Sequence, residues 1–512
     1  MAQLSPKPAL VFIGFMGAGK STALAAAREA GMETTEVDEL IEREIGAPIG
    51  EFFEREGEAE FRRREAGVVV PLLEQADGGA IALGGGSVLV EGVPEALSRH
   101  VVVWLQVGIE EAWRRVEGSA RPLARDRAAF EALLPARQPL YEELADVIFP
   151  AGDREDVATA MPWLKALAGP LPDRTRMAWA RTASGGYPIF VGRGLIGADW
   201  PPTEGRPFGI SDRTVAERYL GEHGFEELLL IEPGERSKSL AEAERLLGEL
   251  ADAGMTRSDH IVAFGGGVVG DLAGFCAATY QRGVALSQVP TTLVAQVDSA
   301  IGGKTGVDLP QAKNYIGAYH QPMTVIADVG VLSTLPEEEL AAGWVEVLKT
   351  ALLAGGGLWE RVREQGGPGG ELEEIVFACA RFKAEVVAAD ERDSGRRAIL
   401  NLGHTVGHAI EAATGYERYR HGEAVGLGLL AALRLSDSGE LRDQVEAILA
   451  AAQLPTRIEG AEVDAIAEAV QRDKKRDADG VRFVLLSEPG EPREGQLVEP
   501  GRVRESIGEL ID

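Results

Sequence analysis

The first apolar run of the chain, ALVFIGF at 9–15, reads as a buried strand, and a glycine-rich turn and an alanine-rich helix pattern follow it. Uninterrupted apolar runs of this length mark strands covered on both faces. AIALGG at 80–85, HVVVWLQV at 100–107 and VIFP at 147–150 repeat the pattern, alternating with helical stretches to about residue 166. That alternation predicts a parallel α/β domain over 1–167. The proline, glycine and polar residues of AGPLPDRTR predict a linker over 168–176. A second alternation opens with MAWARTASGGYPIFVG at 177–192, which reads as a strand hairpin. It continues through PFGISD, ELLLIEP, HIVAFGG, ALSQVP and TVIADVG. From about 336 the pattern turns helical, as in EEELAAGWVEVLKTALLA and EAVGLGLLAALRLSD. The expected architecture is therefore α/β, with a Rossmann-like domain over 177–335 and an all-helical domain over 336–512.

The chain of 512 residues has ample length for such domains. No apolar run approaches a membrane span, and the opening MAQLSPKPAL has no signal-peptide pattern. A net charge of −29 argues against nucleic acid or an anionic membrane as partner, so any phosphate site is a local basic pocket. The two cysteines, Cys276 and Cys379, give no disulfide framework and suit a reducing cytoplasm. Ten of the 52 basic residues are lysine, and eight of the ten fall in the motifs below: Lys20, Lys238, Lys304, Lys313, Lys349, Lys383, Lys474 and Lys475. A chain that avoids lysine keeps it where a compact ammonium is needed.

GFMGAGKST at 14–22 fits G-x-x-x-x-G-K-[ST] between a strand and a helix. In that setting the backbone N–H groups of Gly17, Ala18 and Gly19 cradle a phosphate. Lys20 reaches the β- and γ-phosphates of ATP, and Ser21, followed by Thr22, ligates Mg²⁺. Further on come Asp38 in TTEVDELIE, Arg62 in EFRRRE, GGGS at 84–87, Arg121 in RPL and Arg137 in ARQPLYEELAD. Together these motifs resemble shikimate kinase over about residues 8–166. The resemblance implies that Asp38 orients or deprotonates the attacking hydroxyl. It implies that Arg62, Arg137 and the backbone of Gly84, Gly85 and Gly86 bind shikimate, and that Arg121 belongs to a lid over ATP. Lys20, Asp38 and Arg121 are then the catalytic set, and Arg115 is a candidate to stack on adenine. Two departures stand out: Glu36 occupies a position where the family has Asp, and the stretch from Arg121 to Arg137 is short.

Three of the seven histidines, His404, His408 and His421, fall within NLGHTVGHAIEAATGYERYRHGE, with Glu423 beside them. His404 and His408 are spaced i, i+4 and share a helix face. Imidazoles with carboxylates suit a zinc-type divalent metal, and three protein ligands leave a position open for chemistry. Helix spacing alone makes His408 as good a ligand as the other two.

HIVAFGGGVVGDLAGFCAATY carries G-x-G-x-x-G at Gly265, Gly267 and Gly270 between a strand and a helix, the context of a dinucleotide site. Around it stand PGERSKS, YQRGV, VPTTL, QVDSAIGGKTGVDLPQAKNYIGAYHQP, GWVEVLKT and FKAEVVAADERDSGRRAILNLGHTVGH. This set resembles 3-dehydroquinate synthase from about residue 180 to the C-terminus. The resemblance implies NAD, a divalent metal (zinc or cobalt) and 3-deoxy-D-arabino-heptulosonate 7-phosphate as substrate. It assigns the metal to Glu346, His404 and His421, and moves His408 to the substrate pocket. NAD would meet Asp212, Glu235, Lys238, Gly266, Gly267, Val268, Asp271, Thr291, Thr292, Asp298, Lys304, Lys313 and Thr334. The substrate would meet Arg282, Lys304, Asn314, Lys349, Lys383, Arg397, Asn401, His408 and Lys474, with Lys475 an alternative to the last. Asp298, Lys304, Lys349, Arg282 and His408 would take part in the chemistry. NAD oxidises an alcohol, the ketone acidifies the neighbouring C–H so that phosphate leaves, and the ketone is then reduced, so NAD is regenerated.

The expectation is a cytoplasmic enzyme with two non-consecutive shikimate-pathway activities, a homodimer through its second half, whose partners are ATP, shikimate and the heptulosonate phosphate. One alternative makes the second half another sugar-phosphate cyclase, of the 2-deoxy-scyllo-inosose synthase type. Another makes the first half a non-catalytic ATP-binding module.

Overall fold

The structure is a computed structural model that describes residues 7–119, 122–152, 154–169, 171–172, 174–198, 200, 203, 205–221, 224–472 and 481–511. The chain forms two compact units. One runs to Trp179 and takes in Gly186–Pro188 and Gly194–Thr203; the other comprises Ala180–Gly185, Ile189–Arg193 and Glu204 onward.

The strands of the first unit are β1 (Leu10–Ile13), β2 (Thr34–Glu36), β3 (Ala80–Ala82), β4 (Val101–Gln106), β5 (Val147–Pro150) and the start of β6 (Arg176–Thr182), whose last three residues belong to the second unit. They pair in parallel in the order β2-β3-β1-β4-β5-β6. All four residues of β1 are buried, as the LVFI run requires of a central strand. β1 is flanked by β3 on one side and β4 on the other, which makes its C-terminal end the crevice where ligands bind in such sheets. β6 begins at Arg176, the last residue of the expected linker.

The second unit contributes β7 (Gly185–Gly192), β8 (Pro207–Asp212), β9 (Glu227–Ile231), β10 (His260–Gly265), β11 (Ala285–Pro290), β12 (Lys304–Leu309), β13 (Ala312–Tyr319) and β14 (Thr324–Asp328). Its parallel sheet runs β7-β14-β11-β10-β8-β9. The strand order reverses between β8 and β10, so their C-terminal ends bound the ligand crevice. β12 and β13 form a separate antiparallel hairpin, absent from the sequence expectation because its strands carry glycines and charges rather than an apolar run.

The region after residue 336 is built from helices, among them Glu337–Ala354, Glu373–Ala389, His404–Ala413 and His421–Leu435. One hairpin interrupts them, β15 (Arg482–Leu486) with β16 (Pro492–Leu497). Its Phe483 to Leu486 are buried, so four apolar residues suffice for a strand once a partner is present. Among the described residues no helix is long and apolar enough to cross a membrane.

The helices His404–Ala413 and His421–Leu435 touch through glycine. A Cβ at Gly428 would collide with the carbonyl oxygen of Gly403 and lie 2.8 Å from the nitrogen of Gly407. Gly428→Ala is therefore expected to destabilise the second unit by about 1–3 kcal/mol, read as a lower urea midpoint. Gly439→Ala, where an added Cβ meets nothing within 4 Å, is expected not to lower it.

Candidate active sites

The first cavity, about 390 Å³, lies at the C-terminal end of β1. The turn leaving β1 holds Gly17 and Gly19 at φ 79° and 93°, a backbone that favours glycine. It passes into the helix Lys20–Glu29, whose N-terminus has no side-chain cap, so its first N–H groups are available to an anion. Ala18 is buried within the same turn. Lys20 Nζ donates to the carbonyl oxygens of Gly14 and Phe15 at 2.9 and 3.1 Å. Ser21 Oγ donates to Glu36 Oε2 at 3.0 Å. Burial raises the Glu36 carboxyl above its usual range; the Ser21 hydrogen bond opposes this and the charge of Asp38 adds to it. Thr22 and Arg115 complete this wall, and Arg115 Nη1 donates to the Gly17 carbonyl at 3.0 Å.

Facing the turn are Asp38, Arg62, Gly84, Gly85, Gly86 and Arg137. Arg62 Nη1 lies 2.6 Å from Glu65 Oε2. Glu65 is 1% exposed and also accepts from Ser87 Oγ at 2.5 Å. Arg137 is buried; its Nη1 donates to the Gly85 carbonyl at 3.3 Å, an oxygen shared with the Tyr141 hydroxyl. A Cβ at Gly86 would collide with the Arg62 guanidinium, and one at Gly84 would lie 3.1 Å from Asp38 Oδ1. The glycine strip thus lets two guanidiniums and a carboxylate converge on one space. Such a set holds a carboxylate and orients a hydroxyl.

The second cavity, about 1330 Å³, sits beyond the C-terminal ends of β8, β9, β10 and β11. Asp212 ends β8 and accepts from Val215 N at 3.0 Å, capping the next helix. Gly266 and Gly267 open the helix Gly267–Thr279, which has no side-chain cap. Val268, Thr291, Thr292 and Thr334 line the same end. Lys238, buried, pairs with Asp271 Oδ2 at 2.7 Å and Glu235 Oε1 at 3.8 Å, and donates to Asn314 Oδ1. Burial works against the Lys238 charge, but Asp271 and Glu235 outweigh it and raise its pKa.

Deeper in, Lys349 Nζ lies 2.6 Å from Glu346 Oε2 and 3.2 Å from Asp298 Oδ2. Lys383 pairs with the other carboxylate oxygen of Asp298 and donates to its carbonyl at 2.5 Å. Burial pushes the Lys383 ammonium well below its usual range. Lys304 pairs with Asp393 at 2.6 Å. Arg397, 2% exposed, donates to the carbonyls of Glu391 and Gly302 at 2.7 and 2.9 Å. Asn401, Lys313 and His408 also line the cavity.

Glu346 Oε1 lies 3.6 Å from Nε2 of His404 and 3.6 Å from Nε2 of His421, and accepts no hydrogen bond from a described residue. Each ring has its other nitrogen tied down. His404 Nδ1 faces the Leu402 carbonyl at 3.2 Å, and His421 Nδ1 faces Glu411 Oε2 at 3.5 Å. The side chain of His404 is 12% exposed and that of His421 41%, so the cluster opens to the cavity on one side. Burial, with Lys349 and His408 adding to it, holds His404 well below the usual imidazole range. The ligating atoms of His404, His408 and His421 lie within 4.8 Å of one another.

A model of the 3-dehydroquinate synthase N-terminal region matches residues 228–342, and one of the C-terminal region matches 343–476. The 3-dehydroquinate synthase of Symbiobacterium thermophilum is 44% identical over 345 residues, covering 62% of this chain and 96% of that protein. The chain belongs to the 3-dehydroquinate synthase family. The synthase of Halorhodospira halophila is 43% identical over 335 residues, covering 62% of this chain and 94% of its own. A solved structure of 2-deoxy-scyllo-inosose synthase with carbaglucose-6-phosphate, NAD⁺ and Co²⁺ covers 65% of this chain and 99% of its own, at 25% identity and TM-score 0.57. A shikimate kinase model matches residues 16–167, so a kinase domain precedes the synthase.

The synthase cavity gathers every described NAD, substrate and metal position expected from sequence except Arg282. Arg282 is exposed just past the helix Gly267–Thr279, at the opposite end of β11 from the cavity. Arg121, Lys474 and Lys475 lie outside the described residues. Glu423 is spent elsewhere: it accepts from Arg420 N at 2.8 Å and caps the helix that His421 begins. The metal set fits its task, because an unbonded buried carboxylate oxygen and two Nε2 atoms with anchored Nδ1 atoms meet at one point. The nucleotide set fits as well, through the uncapped glycine-opened helix beside Asp212.

Sequence reasoning missed the residues that act through others: Glu65 and Ser87 in the kinase, Glu411 and Asp393 in the synthase. Glu65 and Glu411 were within reach, since each follows an assigned residue, Arg62 or His408, by three positions on a helix. Removing Glu65 takes from Arg62 its buried partner and leaves it only the more exposed Glu58, 3.2 Å from Nη2. Glu65→Ala is expected to raise KM for shikimate more than tenfold while KM for ATP changes less than twofold, measured in a coupled kinase assay.

Proposed function

We propose that this chain catalyses two reactions of the shikimate pathway. The first unit phosphorylates shikimate to shikimate 3-phosphate with ATP. The second converts 3-deoxy-D-arabino-heptulosonate 7-phosphate to 3-dehydroquinate with release of phosphate. The observation that carries the second assignment is the placing of Lys304, Lys349, Lys383 and Arg397 in one cavity with the Glu346–His404–His421 cluster and the glycine-opened helix. A plain dehydrogenase has no need of four basic side chains to seat a phosphate and a carboxylate. The identity of 44% to a 3-dehydroquinate synthase, against 25% to 2-deoxy-scyllo-inosose synthase, favours the first product.

In the kinase, the uncapped helix N-terminus and Lys20 receive the phosphates of ATP, with Arg121 as the lid residue. Ser21 would ligate Mg²⁺, with Glu36 behind it accepting from the Ser21 hydroxyl, and the ion would supply neutralisation of the charge on the transferred phosphoryl group. Arg62 and Arg137 grip the shikimate carboxylate, and Asp38 takes the proton of the attacking hydroxyl. Retention of that whole set argues against a non-catalytic module.

In the synthase, Glu346, His404 and His421 would hold a divalent metal, zinc or cobalt, and the β8–β10 crevice would hold NAD; bound there, the two would supply a hydride acceptor that returns what it takes and a Lewis acid for the substrate alcohol. Asp298 orients Lys349 and Lys383 toward the substrate. Lys304 and Arg397 face its anionic groups, and Asn314, Asn401 and His408 its hydroxyls. Arg282 enters as a substrate contact only by resemblance, and Lys474 likewise. We assign the enzyme to the cytoplasm as a homodimer through the synthase half, without nucleic-acid or membrane partners.

Two variants of the full chain separate the sites. His421→Ala is expected to abolish dehydroquinate formation and keep shikimate phosphorylation within twofold. Asp38→Asn is expected to lose more than 90% of kinase turnover, keep ATP binding and leave the synthase intact. Loss of both activities in either folded variant contradicts two separate sites.

Phosphate release from the heptulosonate phosphate is expected to run for many turnovers per NAD⁺ with no growth of the NADH absorbance band. Stoichiometric NADH without phosphate would assign the second unit to simple alcohol oxidation instead.

A further inference from the structure

Glu411 is 4% exposed and lines the synthase cavity beside the histidine cluster. It shares the helix His404–Ala413 with His404 and His408, so the three stand on one face. Its two oxygens look in different directions. Oε2 lies 3.5 Å from His421 Nδ1, and Oε1 lies 3.7 Å from Lys313 Nζ.

The tautomer of His421 depends on this contact. Its Nε2 faces Glu346 Oε1 at 3.6 Å, and a neutral ring that offers Nε2 as a ligand carries its proton on Nδ1. That N–H needs an acceptor. His404 finds one in the Leu402 carbonyl; for His421 the acceptor in place is Glu411. A carboxylate is the stronger acceptor, and it makes the ring a better donor to a cation. Lys313 holds Glu411 in turn, and its ammonium also sits 5.0 Å over the Tyr416 ring. A buried carboxylate is costly unless it is paired. Glu411 meets that requirement with a ring nitrogen of the cluster and a lysine of the β12–β13 hairpin.

We propose that Glu411 is a positioning residue for metal binding: it fixes His421 with Nδ1–H toward itself and Nε2 toward Glu346. This rests on the reading of His421 as a metal ligand.

The test uses the full chain, stripped of metal and titrated with Co²⁺ and with Zn²⁺ against a chromophoric chelator. Glu411→Ala is expected to bind both metals about 10–100-fold more weakly. Glu411→Gln, whose amide oxygen still accepts from Nδ1–H, is expected to recover most of that loss and to give a shifted visible spectrum with Co²⁺. Circular dichroism and the shikimate kinase activity of the same samples report that each variant is folded. His421→Ala is run beside them. If His421→Ala loses the metal while Glu411→Ala and Glu411→Gln bind as wild type, Glu411 has no positioning role. If His421→Ala also binds as wild type, the ligand assignment falls and the proposal falls with it. Should Glu411→Ala not fold, Glu411→Gln decides: wild-type affinity with an unshifted Co²⁺ spectrum overturns the proposal.

Discussion

Four ionisable groups, three of them buried and the fourth, Asp298, partly exposed, together govern the second unit. Glu346 and Lys349 are each 1% exposed and Lys383 is 7% exposed, and Asp298 joins the two lysines. Removing Asp298 takes from Lys383 its carboxylate partner, and removing Lys349 takes from Glu346 its ammonium, and leaving a buried charge unpaired costs several kcal/mol. The four come from three elements: the helix Glu337–Ala354, the turn Ala295–Ser299 and the helix Glu373–Ala389. The network therefore closes only when the helical region folds onto the end of the sheet. An apolar cluster of the same volume commonly holds such elements at least as well.

The kinase site uses the same device on a smaller scale. Glu65 is buried and held between the Arg62 guanidinium and the Ser87 hydroxyl, so Arg62 keeps one direction, with its Nη2 beside the more exposed Glu58. In both sites a buried carboxylate holds a cation or an imidazole that in turn faces the ligand. Rigidity comes from the inner pair and chemistry from the outer group, which is how a site reaches its geometry before substrate arrives.

What could be read from the sequence follows from how each element is buried. The strands β1, β3, β4, β5, β8, β9, β10, β11 and β14 are apolar runs because parallel sheets cover both faces, and each run marked its strand. β2 reads only TTE and is half-buried, and β12–β13 carries Lys304, Lys313 and Asn314 on a two-stranded sheet, so neither leaves a hydrophobic signature. The metal cluster shows the same limit. Spacing put His404 and His408 on one face, but it could not show that Glu346 lies beside them, because a helix period says nothing about another helix. Glu423, closer in sequence, is taken by a helix cap. Residues that act through a neighbour, such as Glu411, carry no motif of their own.

The division of labour between lysine and arginine follows from the same electrostatics. Lys238, Lys349 and Lys383 are buried against carboxylates. A compact ammonium fits there, because it can sit between two oxygens without a planar fork to satisfy. Arginine takes the surface, where pairs such as Arg245 with Glu242 and Glu249 or Arg434 with Glu509 staple neighbouring helix turns and helices. The exceptions are informative. Arg137 and Arg397 are buried too, and both spend guanidinium N–H groups on backbone carbonyls, of Gly85 in one case and of Glu391 and Gly302 in the other. A carbonyl accepts hydrogen bonds without cancelling the charge. These two arginines therefore reach the cavity still cationic and oriented, the state in which a guanidinium grips a carboxylate or phosphate in bidentate fashion.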